Sequence, residues 1–264
     1  MRHSVLYTLM FSAALCVICA IMVSASAVSL KDAQEANKAL DRKRNVLEAA
    51  GLIQPGEKPA ANRVEELFST FKGVFVDLET GQEVEGGNPD AYDQQKAKKN
   101  PATSHAVAEN PSRVTRVPDK VLIYEVLGDS GKVETLILPI EGYGLWGTLY
   151  GYLAVEADTS TVVGITYYDH KETPGLGGEV ENPRWKALWP GREIFDDKGD
   201  VVLKVIKGNA GPPSQDPHRV DGLSGATITS RGVTNMIDFW MGSEGFGPYL
   251  AGLREEKSQE RSAA

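Results

Sequence analysis

The hydrophobic pattern divides the chain into two regimes. From Ser4 to Leu30 there are 27 residues without a charge, and the apolar heart runs from Val5 to Val23. As a helix such a run is roughly 40 Å long at ~1.5 Å per residue, against a bilayer core of ~30 Å. Leu30 to Ala50 is rich in helix formers and ends at Gly51, which predicts a helix continuing the apolar one. Pro55-Gly56 breaks it. Asn62 with Glu65 three residues on has capping-box spacing for a short helix over Arg63 to Phe71. Gly73 to Leu78 alternates as a strand and Thr80-Gly81 turns it. Gly86 to Pro118 is polar and carries prolines at 89, 101 and 111, which predicts a surface excursion with Lys96, Lys98 and Lys99 as a solvated face.

The second half reads as strands. Val121–Leu127 and Val133–Pro139 flank Asp129-Ser130-Gly131, a hairpin signal. Leu149–Val155 and Val162–Tyr168 follow, with Asp158–Thr161 as their turn. Val201–Lys207 is a further predicted strand and Arg231–Met241 a helix. The fold class expected is α+β, a single N-terminal transmembrane helix followed by a twisted, mainly antiparallel sheet flanked by helices.

Composition narrows the function classes. Over 264 residues, 41% hydrophobic and 24% charged content excludes wholesale disorder, and a formal charge of −8 argues against a general nucleic-acid binder. Cys16 and Cys19 form a C-x-x-C inside the apolar run, where they read as packing or lipid-facing residues. No cysteine follows, so the polar part holds neither a disulfide nor a Cys-based zinc site. Arg2 and Ala25-Ser26-Ala27 also permit a cleaved signal peptide, but the apolar stretch exceeds a usual h-region and favours an uncleaved anchor. Lys31, Lys38, Arg42, Lys43 and Arg44 beyond the span would hold the domain inside by a literal positive-inside count. Long domains translocate largely regardless of charge, and a short basic head before an apolar segment is an export signal. The orientation expected is therefore N-terminus in, domain out.

Three segments carry candidate chemistry. Asp221-Gly222-Leu223-Ser224-Gly225-Ala226-Thr227-Ile228-Thr229-Ser230 crowds hydroxyls and glycines just ahead of the predicted helix. Orphan N–H groups and the dipole make such an end a phosphate site, although an ordinary turn with a Ser/Thr cap fits the same residues. Glu172-Thr173-Pro174-Gly175-Leu176-Gly177-Gly178-Glu179 is either a plain turn or a glycine loop against which a flat ligand lies under Leu176. Gly142-Tyr143-Gly144-Leu145-Trp146-Gly147-Thr148 is either a bulged strand end or an aromatic wall. His170 beside the glycine loop reads as a surface histidine. No G-x-G-x-x-G follows a strand, so NADH is not expected to bind here.

In this order the three segments resemble the FMN-binding domain family of the NqrC subunit of the sodium-pumping NADH:quinone oxidoreductase, a domain shared with the related subunit of the Rnf complex. Ser224–Thr229 is similar to the family's S-G-A-T-x-T flavinylation motif. Lys171–Glu179, continuing through Asn182-Pro183-Arg184-Trp185 to Trp189-Pro190-Gly191, is similar as well. The resemblance implies FMN joined to Thr229 by a phosphoester bond, attached by a separate flavin transferase. It implies Asp221, Ser224, Gly225, Ala226 and Thr227 around the phosphate, and Leu145, Trp146, Thr173, Leu176 and Gly177 around the isoalloxazine. Lys207, at a predicted strand end before a glycine, is either a solvated strand end or a cation near the pyrimidine ring that would favour the reduced or anionic semiquinone form. No catalytic acid–base pair and no metal ligand is expected.

The function implied is electron relay within a membrane NADH:quinone oxidoreductase coupled to sodium transport, in the inner membrane of a bacterium with the domain on the periplasmic side. The NADH and quinone sites would belong to partner subunits. The alternatives are an Rnf-type subunit and a non-redox anchored binding protein. The organisation expected is an anchor over 1–30, a helical and short-strand lead-in over 31–85, the polar excursion over 86–118, the FMN-binding domain over 119–250 and a polar tail over 251–264.

Overall fold

The computed structural model describes residues 4–128 and 130–263, with side chains to residue 259; Arg2, His3 and the hairpin residue Asp129 lie outside the described residues. Two compact units result, residues 1–42 and residues 43–264. The first holds residues 5–42 of helix α1 (Val5–Ala49), which joins the predicted span and its continuation without a break. Its most apolar window has a mean hydropathy of 2.4, so α1 is long and apolar enough to cross a membrane. Cys16 and Cys19 are exposed on this helix.

The second unit is built on a six-stranded sheet. In sequence order its strands are β1 (Phe71–Asp77), β2 (Gln82–Val84), β5 (Lys120–Leu127), β6 (Val133–Tyr143), β7 (Thr148–Glu156) and β8 (Val162–Asp169), and they lie side by side as β2-β1-β5-β6-β7-β8. Every pairing in it is antiparallel. Period-two alternation sends successive residues to opposite faces. Val121, Ile123, Leu136, Leu138, Ile140, Leu153 and Val155 enter the larger core with helix α5 (Thr227–Met241). Leu122, Tyr124, Ile137, Tyr152 and Ala154 face the other way and bury Val46 and Ala49 of α1. Both faces are covered, so β6 reads almost continuously apolar instead of alternating with polar residues.

Several local expectations give way to tertiary structure. The short helix α2 is Ala61–Phe68 with Ala60 at its N-cap and no side-chain cap. Asn62 lies inside its first turn, and Glu65 makes an ion pair with Lys43 at 2.7 Å instead of closing a capping box. The 86–118 stretch is not merely superficial. It contains helix α3 (Gln94–Lys99), capped by Asp93, and the antiparallel pair β3 (Ser104–Ala106) and β4 (Arg116–Pro118). Val114 and Val117 join the main core. Lys98 leaves the expected solvated face to pair with the buried carboxylate of Glu141, which also accepts from Gln95 Nε2 at 3.1 Å. Lys96 and Lys99 line the stretch without entering the core.

The Val201–Lys207 strand shrinks to β9 (Lys204–Val205), because the Val202 and Leu203 N–H groups both donate to Ile194 O and leave the ladder. Its parallel partner β10 (Arg219–Val220) has no counterpart in the hydrophobic pattern. Residues of the 251–264 tail continue helix α6 (Gly247–Ala263).

The approach of α5 to the sheet positions the site. A Cβ on Gly232 would lie 2.4 Å from Tyr143 O, and one on Gly142 would lie 2.7 Å from Met236 Cβ. Two glycines, one on each element, therefore let the helix backbone rest on the end of β6. Trp240 fixes the next turns by donating from Nε1 to Glu141 O at 2.7 Å. In an ordinary helix Gly→Ala stabilises by about 0.5–1 kcal/mol. Here the added methyl meets backbone, so Gly232→Ala is expected to destabilise by about 1–3 kcal/mol, read as a lower urea midpoint at unchanged slope.

Candidate functional site

Helix α5 begins four residues earlier than the pattern suggests, at Thr227, with Ala226 as its N-cap and no side-chain cap bond. Ser230 N–H to Ala226 O at 3.0 Å is its first intrahelical bond. The N–H groups ahead of it project from the helix end, where the dipole favours an anion. Thr229 thus lies in the first turn itself. Ser230 does not point to a ligand: its Oγ accepts from Leu223 N at 3.1 Å and ties down the loop before the helix. Gly225 in that loop takes φ +72°, a conformation that favours glycine.

Asp221 works on the scaffold side of the same loop. Its Oδ1 accepts from Ala210 N at 2.7 Å, and its carbonyl accepts from Trp185 Nε1 at 2.8 Å. Trp185 belongs to the one-turn helix α4 (Pro183–Lys186) and meets buried Trp189 edge to face at 5.4 Å. The tryptophan pair of the 182–191 stretch is therefore core, and it anchors the small-residue loop from below.

The three segments converge on Glu172. It lies just beyond the end of β8, and the residue is only 5% exposed. Oε1 accepts from Leu145 N at 3.0 Å and Trp146 N at 2.8 Å, the tip of the β6–β7 turn. Oε2 accepts the Thr229 hydroxyl at 2.5 Å. The carboxylate thus joins the turn, the glycine loop and the helix start through charge-assisted hydrogen bonds. Two glycines make room for it: a Cβ on Gly144 would sit 2.6 Å from Oε1, and one on Gly177 would sit 2.4 Å from Oε2 and 2.6 Å from Thr229 Oγ1. Thr229 is 1% exposed.

Glu172 is the residue that sequence reasoning misses. It is visible as a lone carboxylate opening a Pro-Gly-rich loop, but its partners lie 26, 27 and 57 positions away. His170 is not a surface residue: its side chain is 12% exposed, with Nε2 at 3.3 Å from Glu181. Nδ1 accepts from Glu172 N at 3.1 Å, which fixes the proton of the neutral ring on Nε2.

The remaining expected residues fall into two neighbouring groups. Leu145, Trp146 and Leu176 are exposed hydrophobics around the Glu172–Thr229 contact, Trp146 at 62%, and Ile228 in the helix start is a fourth that the pattern does not single out. Thr173 is exposed and its carbonyl accepts from Leu176 N at 3.1 Å and Gly178 N at 3.0 Å, closing the glycine loop. Leu176 lies over Gly225, where a Cβ would come within 2.9 Å of its Cδ2. Ala226 is buried beneath.

On the other side of the small-residue loop is a cleft of about 640 Å³, lined by Asp221, Ser224, Gly225, Thr227 and Lys207 together with Lys204 and Arg231. The structure brings Lys207 to the small-residue loop, although not on a strand. Arg231 is a further cation there that the pattern does not mark. Behind this wall Arg192 is buried, donating to Gly211 O at 2.6 Å and Asp216 O at 2.5 Å. Burial lowers the pKa of its guanidinium, and the nearby charges of Asp221 and Asp216 oppose that shift.

A model of the FMN-binding domain family matches residues 144–242, which include the greater part of all three segments. The chain is 45% identical over 258 residues to the NqrC subunit of the Na(+)-translocating NADH-quinone reductase of Pseudomonas aeruginosa, covering 96% of this chain and 98% of that protein. It is 42% identical over 257 residues to the subunit of the same name from Vibrio anguillarum, covering 96% and 97%. Its fold is similar to the crystal structure of Shewanella oneidensis NqrC, with a TM-score of 0.76 and 36% identity over 83% of this chain and 99% of that one. The crystal structure of the corresponding subunit from Parabacteroides distasonis is similar with a TM-score of 0.63 and 28% identity over 84% and 96%. With near-full-length identity of this order and a shared FMN-binding domain, the chain belongs to the NqrC family, the FMN-binding subunits of the Na(+)-translocating NADH-quinone reductases.

Proposed function

We propose that this chain is the membrane-anchored FMN subunit of a Na+-translocating NADH:quinone reductase and that its flavin is esterified to Thr229. The observation that carries the reading is the Thr229 hydroxyl, held by Glu172 in the first turn of α5 where two glycine-bearing loops meet. The residues present fit the group. The helix start offers N–H donors and a favourable dipole to a phosphodiester, worth ~0.3–1 kcal/mol, which a covalent bond makes sufficient for retention. Exposed Leu145, Trp146 and Leu176 supply apolar surface for an isoalloxazine. Lys204, Lys207 and Arg231 surround the small-residue loop with positive charge. When bound, the flavin supplies the electron-transfer chemistry, and the protein's own part is to hold it and tune it.

Helix α1 is the single-pass anchor, and the orientation proposed places the folded domain on the periplasmic face of the inner membrane. There a covalent flavin cannot be lost to dilution. A separate transferase would attach it, and the partner subunits of the complex would bind NADH and quinone. The Rnf reading is set aside because the near-full-length relatives are NqrC proteins, and the FMN-binding match disfavours a non-redox binder.

The full chain coexpressed with a flavin transferase is expected to carry FMN on the peptide containing Thr229 after denaturation. Thr229→Val removes the covalent flavin fluorescence entirely. It also leaves Glu172 without one donor, lowering stability by about 1–3 kcal/mol. Undiminished fluorescence in that variant rules out the assignment. Lys207→Met is expected to lower the one-electron midpoint potential by roughly 20–60 mV, the equivalent of about 0.5–1.5 kcal/mol of lost charge stabilisation. A titration unchanged within error removes Lys207 from the flavin environment.

A further inference from the structure

Resting on Thr229 as the attachment point, we infer that Glu172 is the group that takes the Thr229 proton when the phosphoester forms. A threonine hydroxyl is a weak nucleophile and needs a base within hydrogen-bond reach. Among the described residues one carboxylate oxygen has that position: Glu172 Oε2, 2.5 Å from Oγ1. Its other oxygen is occupied by two backbone donors, Leu145 N and Trp146 N. The carboxylate is therefore oriented by the β6–β7 turn and presents Oε2 to the hydroxyl. His170 holds the Glu172 backbone from behind through Nδ1. The arrangement is a nucleophile, a base and an orienting group, each from a different segment.

The step balances without a redox change. Thr229 Oγ1 forms a bond to the FMN phosphorus of a flavin dinucleotide presented by the transferase. The pyrophosphate P–O bond breaks and AMP leaves with its electron pair. The threonine proton passes to Glu172 and on to solvent or the leaving phosphate.

Burial sets a condition on this step. Thr229 is 1% exposed and Gly177 lies against its hydroxyl. The turn at 173–178 must swing off α5 for a donor to reach Oγ1, parting Leu176 from Gly225 and Gly177 from the hydroxyl. The two backbone donors on Oε1 keep the carboxylate aimed while the glycines yield.

Glu172→Gln isolates proton transfer from shape. Its amide oxygen still accepts from Leu145 and Trp146, and its NH2 donates to Oγ1, so the loops stay joined while the base is lost. The test uses detergent-solubilised full chain purified without flavin, mixed with excess transferase and flavin adenine dinucleotide. Covalent FMN is read by fluorescence after denaturation and by the mass of the Thr229 peptide. Glu172→Gln is expected to attach FMN at least about 100-fold more slowly, at an unfolding midpoint near that of the native chain. The loss is expected in the maximal rate of attachment, with the half-saturating concentrations of transferase and dinucleotide near native, a split that a merely structural role of Glu172 does not give.

Glu172→Asp keeps a carboxylate and should lie between the two in rate. Attachment to Glu172→Gln at the native rate, or a Glu172→Asp no faster than Glu172→Gln, overturns the inference. A native chain that takes no FMN at Thr229 under conditions where a control acceptor does overturns the underlying reading, and the inference with it.

Discussion

The three-way contact at Glu172 is the constraint from which the rest of the site follows. A carboxylate taken out of water needs its oxygens satisfied, and here the β6–β7 turn and the start of α5 supply the donors to a carboxylate carried by the glycine loop. Those donors come from segments far apart in sequence, so the carboxylate fixes the loops relative to one another. Gly144 and Gly177 are glycines for this reason: their missing side chains are the space in which the carboxylate and the Thr229 hydroxyl meet. The glycines and the buried acid form one device, and neither has a purpose without the other.

That device depends in turn on how α5 meets the sheet. Gly232 against Tyr143 O and Gly142 against Met236 set the helix on the end of β6, and Trp240 locks it there through Glu141 O. Glu141 connects outward again, since Lys98 and Gln95 satisfy its carboxylate from the 86–118 stretch. Polar groups buried at successive levels thus link the surface segment to the helix that carries Thr229. Removing one partner of such a pair costs more than the pair contributes, because the other is left buried without compensation.

The sheet is legible in the sequence because β-strand alternation is local. The pattern places β1, β5, β6, β7 and β8 within a few residues of their bounds, and it reads α1 as one continuous helix. The failures share a cause, which is competition from distant partners. Glu65 has the spacing of a capping box but finds Lys43, and Val202 and Leu203 have strand character but find Ile194 O. Lys98 looks like part of a charged run until Glu141 is placed beside it. In the site, the hydroxyls and glycines are legible because their chemistry is written in their type. Glu172 and Arg231 are not, because a charge in a loop or on a helix declares its role only through what faces it.

As the attachment point proposed above, Thr229 reverses one intuition about such sites. A residue awaiting modification is expected on the surface, yet this hydroxyl is 1% exposed and already bonded. Exposure and reactivity pull in opposite directions here. An exposed threonine exchanges its proton with water and points anywhere, whereas one held on a carboxylate has a fixed trajectory and a proton acceptor in place. Burial also separates the Thr229 hydroxyl from its neighbours: Ser224 and Thr227 line the cleft and Ser230 accepts from Leu223 N. Of these four hydroxyls Thr229 is the one paired with an anionic acceptor. In the attachment proposed above, selection among near-identical side chains would be achieved by the partner each one has, at the cost that the loop over Thr229 opens once.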